Sequence, residues 1–278
     1  MKIYISIDME GIPGTFNWVQ EKDFRSEVRK CMSMHLESVI RGIHESFANP
    51  SIDEIVVADS HSAGDSISYE FSAIDDRLHL ISGGPRPQYM MPAFSSEFSM
   101  VFLIGYHGGK GLINSNMDHT YSSSCIHRFE INGMEVNEAL INAAYAGCYG
   151  VPVTLITGDS SLKRQLTDSG LGKADFIVTK SAVSRFAAKN RPINVVRRET
   201  QAAVINVLKH GSSAYPVFKF HPPVRMKITF INTAMADVAA LMPGVRRLDG
   251  STVEFIHDDF KIGFDAIMAI IYIAYHGK

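Results

Sequence analysis

Cysteine is scarce. The 278 residues hold three, Cys31, Cys125 and Cys148, with no CxxC pair among them. An odd thiol is left over, which excludes a disulfide framework and suits a reducing compartment. A charge excess of either sign is also missing. Lys plus Arg number 27 against 29 Asp plus Glu, a formal net charge of -2, and no basic run stands out. Such a chain does not bind nucleic acid or an anionic membrane through its overall field. Long apolar runs are lacking too. The longest, Ala266 to Tyr275 (AIMAIIYIAY), is about half of what a membrane span requires. At the N-terminus, MKIYISIDMEG meets acids at Asp8 and Glu10, which leaves no room for a signal-peptide apolar core. The expectation is a soluble cytoplasmic protein without nucleic-acid or membrane partners.

What is present is a globular mixture, 46% hydrophobic and 20% charged, with 21 glycines and 11 prolines. A chain of this size buries about 73% of the surface it exposes when unfolded, so it needs no disulfide or metal merely to stay folded. The first half repeats a strand, loop, helix rhythm. Lys2 to Ile7 is β-rich and stops at Asp8, before a turn with Gly11, Pro13 and Gly14. From Glu21 to Ala48, Val28, Met32, Leu36, Val39, Ile40, Ile43 and Phe47 recur at helical spacing, and Pro50 lies just beyond. Glu54 to Ala58 and Met100 to Tyr106 are near-continuous apolar runs, the signature of buried parallel strands. Asn132-Gly133 between two short strand-like runs predicts a hairpin, and Asn137 is placed to cap a helix from Glu138 to about Gly147. VTLITGD and ADFIVTK read as further parallel strands, and Pro192 opens a helix that Gly211 ends. The last sixty residues read strand, helix, strand, helix. The predicted fold is α/β: a mostly parallel central sheet flanked by helices over residues 1–210, with a smaller C-terminal α/β lobe over 211–278.

Ligands of open α/β sheets bind outside the carboxyl ends of the strands. Three predicted strands end in side chains capable of metal binding or catalysis: Asp8 and Glu10 after the first, Asp59 and His61 after the second, His107 after the third. Each has an ordinary alternative, since an aspartate there can cap a loop and a lone histidine is commonly a satisfied loop residue. Their conjunction at one crevice points instead to a shared site. Glu138 falls in the first turn of its helix, where the N-terminal partial charge keeps a carboxylate ionised. His119, in Met117-Asp118-His119-Thr120, lies in a loop without apolar periodicity and is available for proton transfer. Asp8, Glu10 and Glu138 carry three negative charges, and His61 and His107 are neutral donors. Against two divalent ions the sum is +1, which a bridging hydroxide neutralises. Five ligands serve two ions only if one carboxylate bridges, and mixed nitrogen and oxygen donors suit zinc or a similar ion. That set matches a dinuclear hydrolase.

Other motifs fail. There is no GxSxG. His44-Glu45-Ser46-Phe47-Ala48 begins like HExxH but lacks the second histidine, and GYHGGKG (Gly105 to Gly111) lacks phosphate-loop spacing and a Ser or Thr after Lys110.

The blocks IDMEGIPG, ADSHS, FLIGYHGG, MDHTY, INGMEVNEALINA and ALMPGVRRLDGSTVEF, in this order over nearly the whole chain, resemble the zinc-dependent D-aminopeptidases whose founding member is encoded with a bacterial dipeptide-transport operon. The resemblance implies two zinc ions per chain, with manganese or cobalt as possible substitutes. Asp8 would bridge them, Glu10 and His61 would complete one, His107 and Glu138 the other, and His119 would be the catalytic histidine. It further implies a decamer of two stacked pentameric rings and short peptide substrates with an N-terminal D-residue, of the D-Ala-D-Ala type. Two segments depart from the founding member, Gly108 to Asn116 and Ser122 to Phe129, and are expected to shape the substrate pocket. The alternatives are an amidase or phosphoester hydrolase on the same metals, which in the second case needs a basic clamp from Lys110 or Arg86, and a non-catalytic metal-dependent peptide-binding protein.

Overall fold

A computed structural model describes residues 1–278. β1 (Lys2–Ile7) leads through a tight loop into the short α1 (Val19–Asp23) and the long α2 (Arg25–Glu45). The buried residues of α2 include Val28, Met32, Leu36, Val39, Ile40 and Ile43, the stripe read from its periodicity. Phe47 departs from that reading: the helix stops at Glu45, and its ring is fully exposed. β2 (Glu54–Asp59), β3 (Leu78–Ile81) and β4 (Phe98–Tyr106) follow. β5 (Ile126–Ile131) and β6 (Met134–Glu135) form the Asn132-Gly133 hairpin, both turn residues having positive φ. α3 (Glu138–Cys148) starts where Asn137 accepts a hydrogen bond from Leu140 N. After it come β7 (Val153–Asp159), α4 (Ser160–Asp168), β8 (Asp175–Ser184), β9 (Ala187–Asn190) and α5 (Ile193–His210). The chain ends with β10 (Val224–Phe230), α6 (Thr233–Ala239), β11 (Val245–Arg247), β12 (Thr252–His257) and α7 (Phe260–Tyr275). β3, α4, β9 and β11 were not anticipated, because three to nine residues carry too little periodicity to mark an element.

The main sheet has the order β3-β2-β1-β4-β7-β8-β9, parallel except for β9. Helices α2 and α5 pack on each other over one face, and α3 packs on β4 from the other. Covered on both sides, β1, β2, β4 and β7 are buried almost throughout, which is why their sequences are near-continuous apolar runs. Strand order reverses between β1 and β4: from β1 the chain runs outward to β2 and β3, and from β4 outward to β7 and β8. That switch point is where an open sheet of this kind leaves a crevice.

Two glycines close the bottom of the crevice. Gly11 N donates to Gly105 O at 2.6 Å. A Cβ on Gly11 would lie 1.9 Å from the Tyr106 carbonyl oxygen, and one on Gly105, whose φ is +76°, would lie 2.3 Å from Asp8 O. Only residues without a side chain let the loop after β1 sit this close to β4.

A second, antiparallel sheet has the order β11-β12-β10-β5-β6. The strands after residue 211 are thus joined by β5 and β6, so this sheet is drawn from both sides of residue 211. α7 packs on β10 and β12 and also on α3, which ties the second sheet to the first. No helix is long and apolar enough to cross a membrane.

His35 of α2 is fully buried with one ring nitrogen 2.9 Å from the Thr157 hydroxyl, which also accepts the Gly105 N–H. Burial, helped by the Arg197 charge, pushes its pKa down to about 4. Between the ordinary value near 6.5 and about 4, the unfolded chain takes a proton that the folded one refuses. The stability this protects is complete above about pH 6.5 and falls as the pH drops toward 4, by up to about 3 kcal/mol. Denaturant unfolding measured at pH 7 and at pH 4.5 should show a smaller acid loss in His35→Gln than in the wild type; equal losses would remove His35 as the cause.

Candidate metal centre

Six ionisable side chains converge on the switch point. Asp8 is the first residue past β1, held by Asp8 N donating to Ile104 O at 2.8 Å. Glu10 follows on the glycine-closed loop. His61 stands two residues past β2 and His107 directly past β4. Glu138 opens α3, and His119 comes from the loop between β4 and β5. All but His119 are buried, and His119 is nearly so. Their donor atoms form two groups, Asp8, Glu10 and His61 in one and His107, His119 and Glu138 in the other, each within 4.8 Å.

Asp8 stands between the groups. Its Oδ1 lies 3.2 Å from His61 Nδ1, and its Oδ2 lies 3.4 Å from His107 Nε2. His61 Nδ1 is also 3.1 Å from Glu10 Oε2, and His107 Nε2 is 3.3 Å from Glu138 Oε2. His119 Nε2 lies 3.6 Å from Glu138 Oε1 and 3.9 Å from Glu10 Oε1. Its ring stacks on that of His107, with centroids 4.2 Å apart. The unused nitrogens of two rings face carbonyls: His107 Nδ1 is 3.0 Å from Gly108 O and His119 Nδ1 is 3.0 Å from Met117 O. Those contacts turn the Nε2 atoms of both rings into the site, where a neutral ring would present its lone pair to an ion.

The electrostatics follow from crowding. Burial and the Glu10 charge raise the pKa of Asp8. Burial also opposes ionisation of Glu10 and Glu138, but the imidazoles around them prevail and hold both low. Burial works against protonation of His61 and His107 as well; Glu10 around the first and Glu138 around the second outweigh it and raise both. Each group calls for positive charge at the centre. Asp8 Oδ2, Glu10 Oε2 and His107 Nε2 are buried without a hydrogen bond, an expensive condition unless something else is bound there. Buried, unpartnered oxygen and nitrogen donors in two groups fit zinc or a similar divalent ion. Asp59, the other strand-end acid, does not join them: its Oδ2 accepts the Ser66 and Ile67 amides and fixes the following loop. His44 pairs with Asp75 at 2.7 Å on the outer side of α2, a structural role.

The loop carrying His119 is stitched down from several sides. Asp118 Oδ2 accepts Gly111 N, Asp118 Oδ1 pairs with Arg185 at 2.9 Å, and Met117 N donates to Arg185 O at 2.7 Å. Met117 and Tyr121, on either side of His119, hold φ of 51° and 57°. Bulky residues persist in that region only where surrounding bonds over-determine them, and here one is the Tyr121 amide, donated to Glu138 Oε1 at 2.6 Å.

The site opens into a cavity of about 390 Å³ lined also by Trp18, Glu21, Tyr89, Tyr121, Ser122 to Ser124 and, from α7, Met268, Ile271, Tyr272 and Tyr275. Of the two departing segments, Ser122 to Ser124 reach this wall and Gly108 to Asn116 does not. Asn116 N and Ser115 Oγ turn instead to Asp159. The sequence reading missed Trp18, Glu21 and the α7 side chains. The tyrosines of AIMAIIYIAY break an otherwise aliphatic run and were the available signal; Glu21 had none.

Trp18, the only tryptophan, donates its indole N–H to Glu10 Oε1 at 2.7 Å and stands edge-on to His119. Zinc added to metal-free protein should therefore change its emission in a saturable way, and a flat titration would argue against ion binding beside Glu10.

The whole-chain comparisons agree with one another. A family model described as D-aminopeptidase matches residues 1–276. The D-aminopeptidase of Bacillus subtilis (strain 168) is 28% identical over 276 residues, 99% of this chain and 98% of that one. The solved structure of "Zn-dependent D-aminopeptidase DppA from Bacillus subtilis, a self-compartmentalizing protease" superposes with a TM-score of 0.88 at 26% identity, covering 99% of this chain and 98% of the other.

Proposed function

Since the chain belongs to the D-aminopeptidase family, we propose that it is a dinuclear zinc aminopeptidase that removes an N-terminal D-residue from short peptides of the D-Ala-D-Ala type. The observation that carries this reading is the placement of Asp8, one oxygen toward His61 and the other toward His107. A carboxylate so divided suits a bridge between two ions. Glu10 and His61 would then hold one ion, and His107 and Glu138 the other. Bound zinc supplies Lewis acidity and makes water nucleophilic at neutral pH.

The chain's own residues do the rest. His119, whose Nε2 faces Glu10 and Glu138 while Nδ1 faces Met117 O, takes a proton from the attacking water. It returns that proton to the peptide nitrogen as the C–N bond breaks, so the products are a free amino acid and a shortened amine. Tyr89, Tyr121 and the α7 side chains line the cavity over the site. No Lys or Arg lines the cavity. Arg86 spends its guanidinium on the carbonyls of Asp59, Gly83 and Tyr89, so the basic clamp that a phosphoester would need is missing. That favours a peptide bond. Self-compartmentalization in the Bacillus subtilis relative supports a homo-oligomer here, and the two stacked pentameric rings that the resemblance implies are the form we propose for it.

Elemental analysis of protein purified without chelator should find close to two zinc or similar ions per chain. Close to none, with no uptake of zinc, cobalt or manganese, would defeat the mechanism. His119→Ala should keep the ions and lose roughly 10²- to 10⁴-fold in turnover of a D-aminoacyl p-nitroanilide. A near-normal kcat would remove His119 from the chemistry, and faster hydrolysis of p-nitrophenyl phosphate would replace the substrate class.

A further inference from the structure

α1 has five residues, buries none of them and carries no side-chain cap, so the hydrophobic core does not account for its place. Its anchorage is polar. Gln20 Oε1 accepts the amides of Phe16 and Asn17, and Gln20 Nε2 donates to Gly14 O, which folds the segment back over the loop after β1. The segment thereby brings two side chains to one half of the metal centre. Trp18 Nε1 donates to Glu10 Oε1, and Glu21 Oε2 lies 3.2 Å from His61 Nε2.

The three histidines of the site differ on their outer sides. His107 and His119 each set a ring nitrogen against a backbone carbonyl one or two residues away. His61 has no such carbonyl: its Nδ1 faces Asp8 and Glu10, while its Nε2 is buried and without a hydrogen bond. The Glu21 carboxylate is the acceptor within reach of that nitrogen. A ligating imidazole needs its other N–H held, which fixes tautomer and orientation, and a carboxylate there makes the ring a stronger donor.

We propose that Glu21 is the positioning residue for His61, and that α1 as a whole is the outer clamp of the Asp8, Glu10 and His61 half of the site. The proposal rests on the metal-centre reading above. It predicts an asymmetry. One ion depends on a side-chain carboxylate at the edge of the cavity, the other on backbone carbonyls that no substitution removes.

The test uses the full-length zinc-loaded protein and its Glu21→Ala and Glu21→Gln variants. Zinc release is followed with a chromogenic indicator during titration with a chelator, and Trp18 emission reports the Glu10 half. In Glu21→Ala, one of two ions should leave at 10- to 100-fold lower chelator concentration, together with the change in Trp18 emission, while the second ion leaves as in the wild type. Glu21→Gln still accepts a hydrogen bond and keeps the volume, so it should recover part of the loss. Identical release curves for all three proteins would overturn the proposal. So would unchanged release with a raised KM, which would place Glu21 on the substrate instead. A wild type that holds no zinc would overturn the metal-centre reading itself, a different result from two tightly held ions insensitive to Glu21.

Discussion

Three carboxylates, those of Asp8, Glu10 and Glu138, are held out of water around the same imidazoles, and that arrangement stands only with positive charge among them. Two like charges about 4 Å apart repel by about 4 kcal/mol even at an effective dielectric constant near 20, and burial adds its own penalty. Protonated histidines can carry the counter-charge, as the raised values of His61 and His107 imply. Divalent ions can carry it better, because they also satisfy the buried oxygens and nitrogen that have no hydrogen bond. The surrounding structure works to keep this crowded set together.

The parallel sheet provides the frame. Strands β1 and β4 lie side by side where strand order reverses, so the residues just past them, Asp8 and His107, face each other across the crevice. The Gly11 and Gly105 backbones touch beneath them and leave no room for either loop to drift. The second sheet then closes the site from above. It pairs β5 with β10 and sets α7 against α3, which places Tyr272 and Tyr275 in the same cavity wall as Tyr121. The hairpin of β8 and β9 adds Arg185, which pairs with Asp118 and lies over the Trp18 ring. A site of a few side chains is thus supported by most of the chain, as a family match spanning residues 1–276 would suggest.

Much of this was readable in the chain before folding. Local signals act over a few residues: the apolar run that stops at Asp8, the stripe of α2, Asn137 capping α3, the Asn132-Gly133 turn. Each produced the element it predicted, and the strand-end rule selected Asp8, Glu10, His61 and His107. It also pointed to Asp59, which takes the alternative role open to a strand-end carboxylate and accepts the loop amides of Ser66 and Ile67. Phe47 kept the helical period past the point where the helix ended, since periodicity has no means of marking a stop.

The sequence by itself determined which donors stand at the ends of which strands, because β-runs, caps and turn residues encode structure locally. Only the tertiary structure decided which strand ends become neighbours, which nitrogen of each histidine faces inward, and that Trp18, Glu21 and α7 complete the walls. Those outcomes depend on strand order and on packing between segments as far apart as Glu10 and Tyr275. No short stretch of chain carries that information, since the free energy that fixes it comes from burying all of those surfaces together.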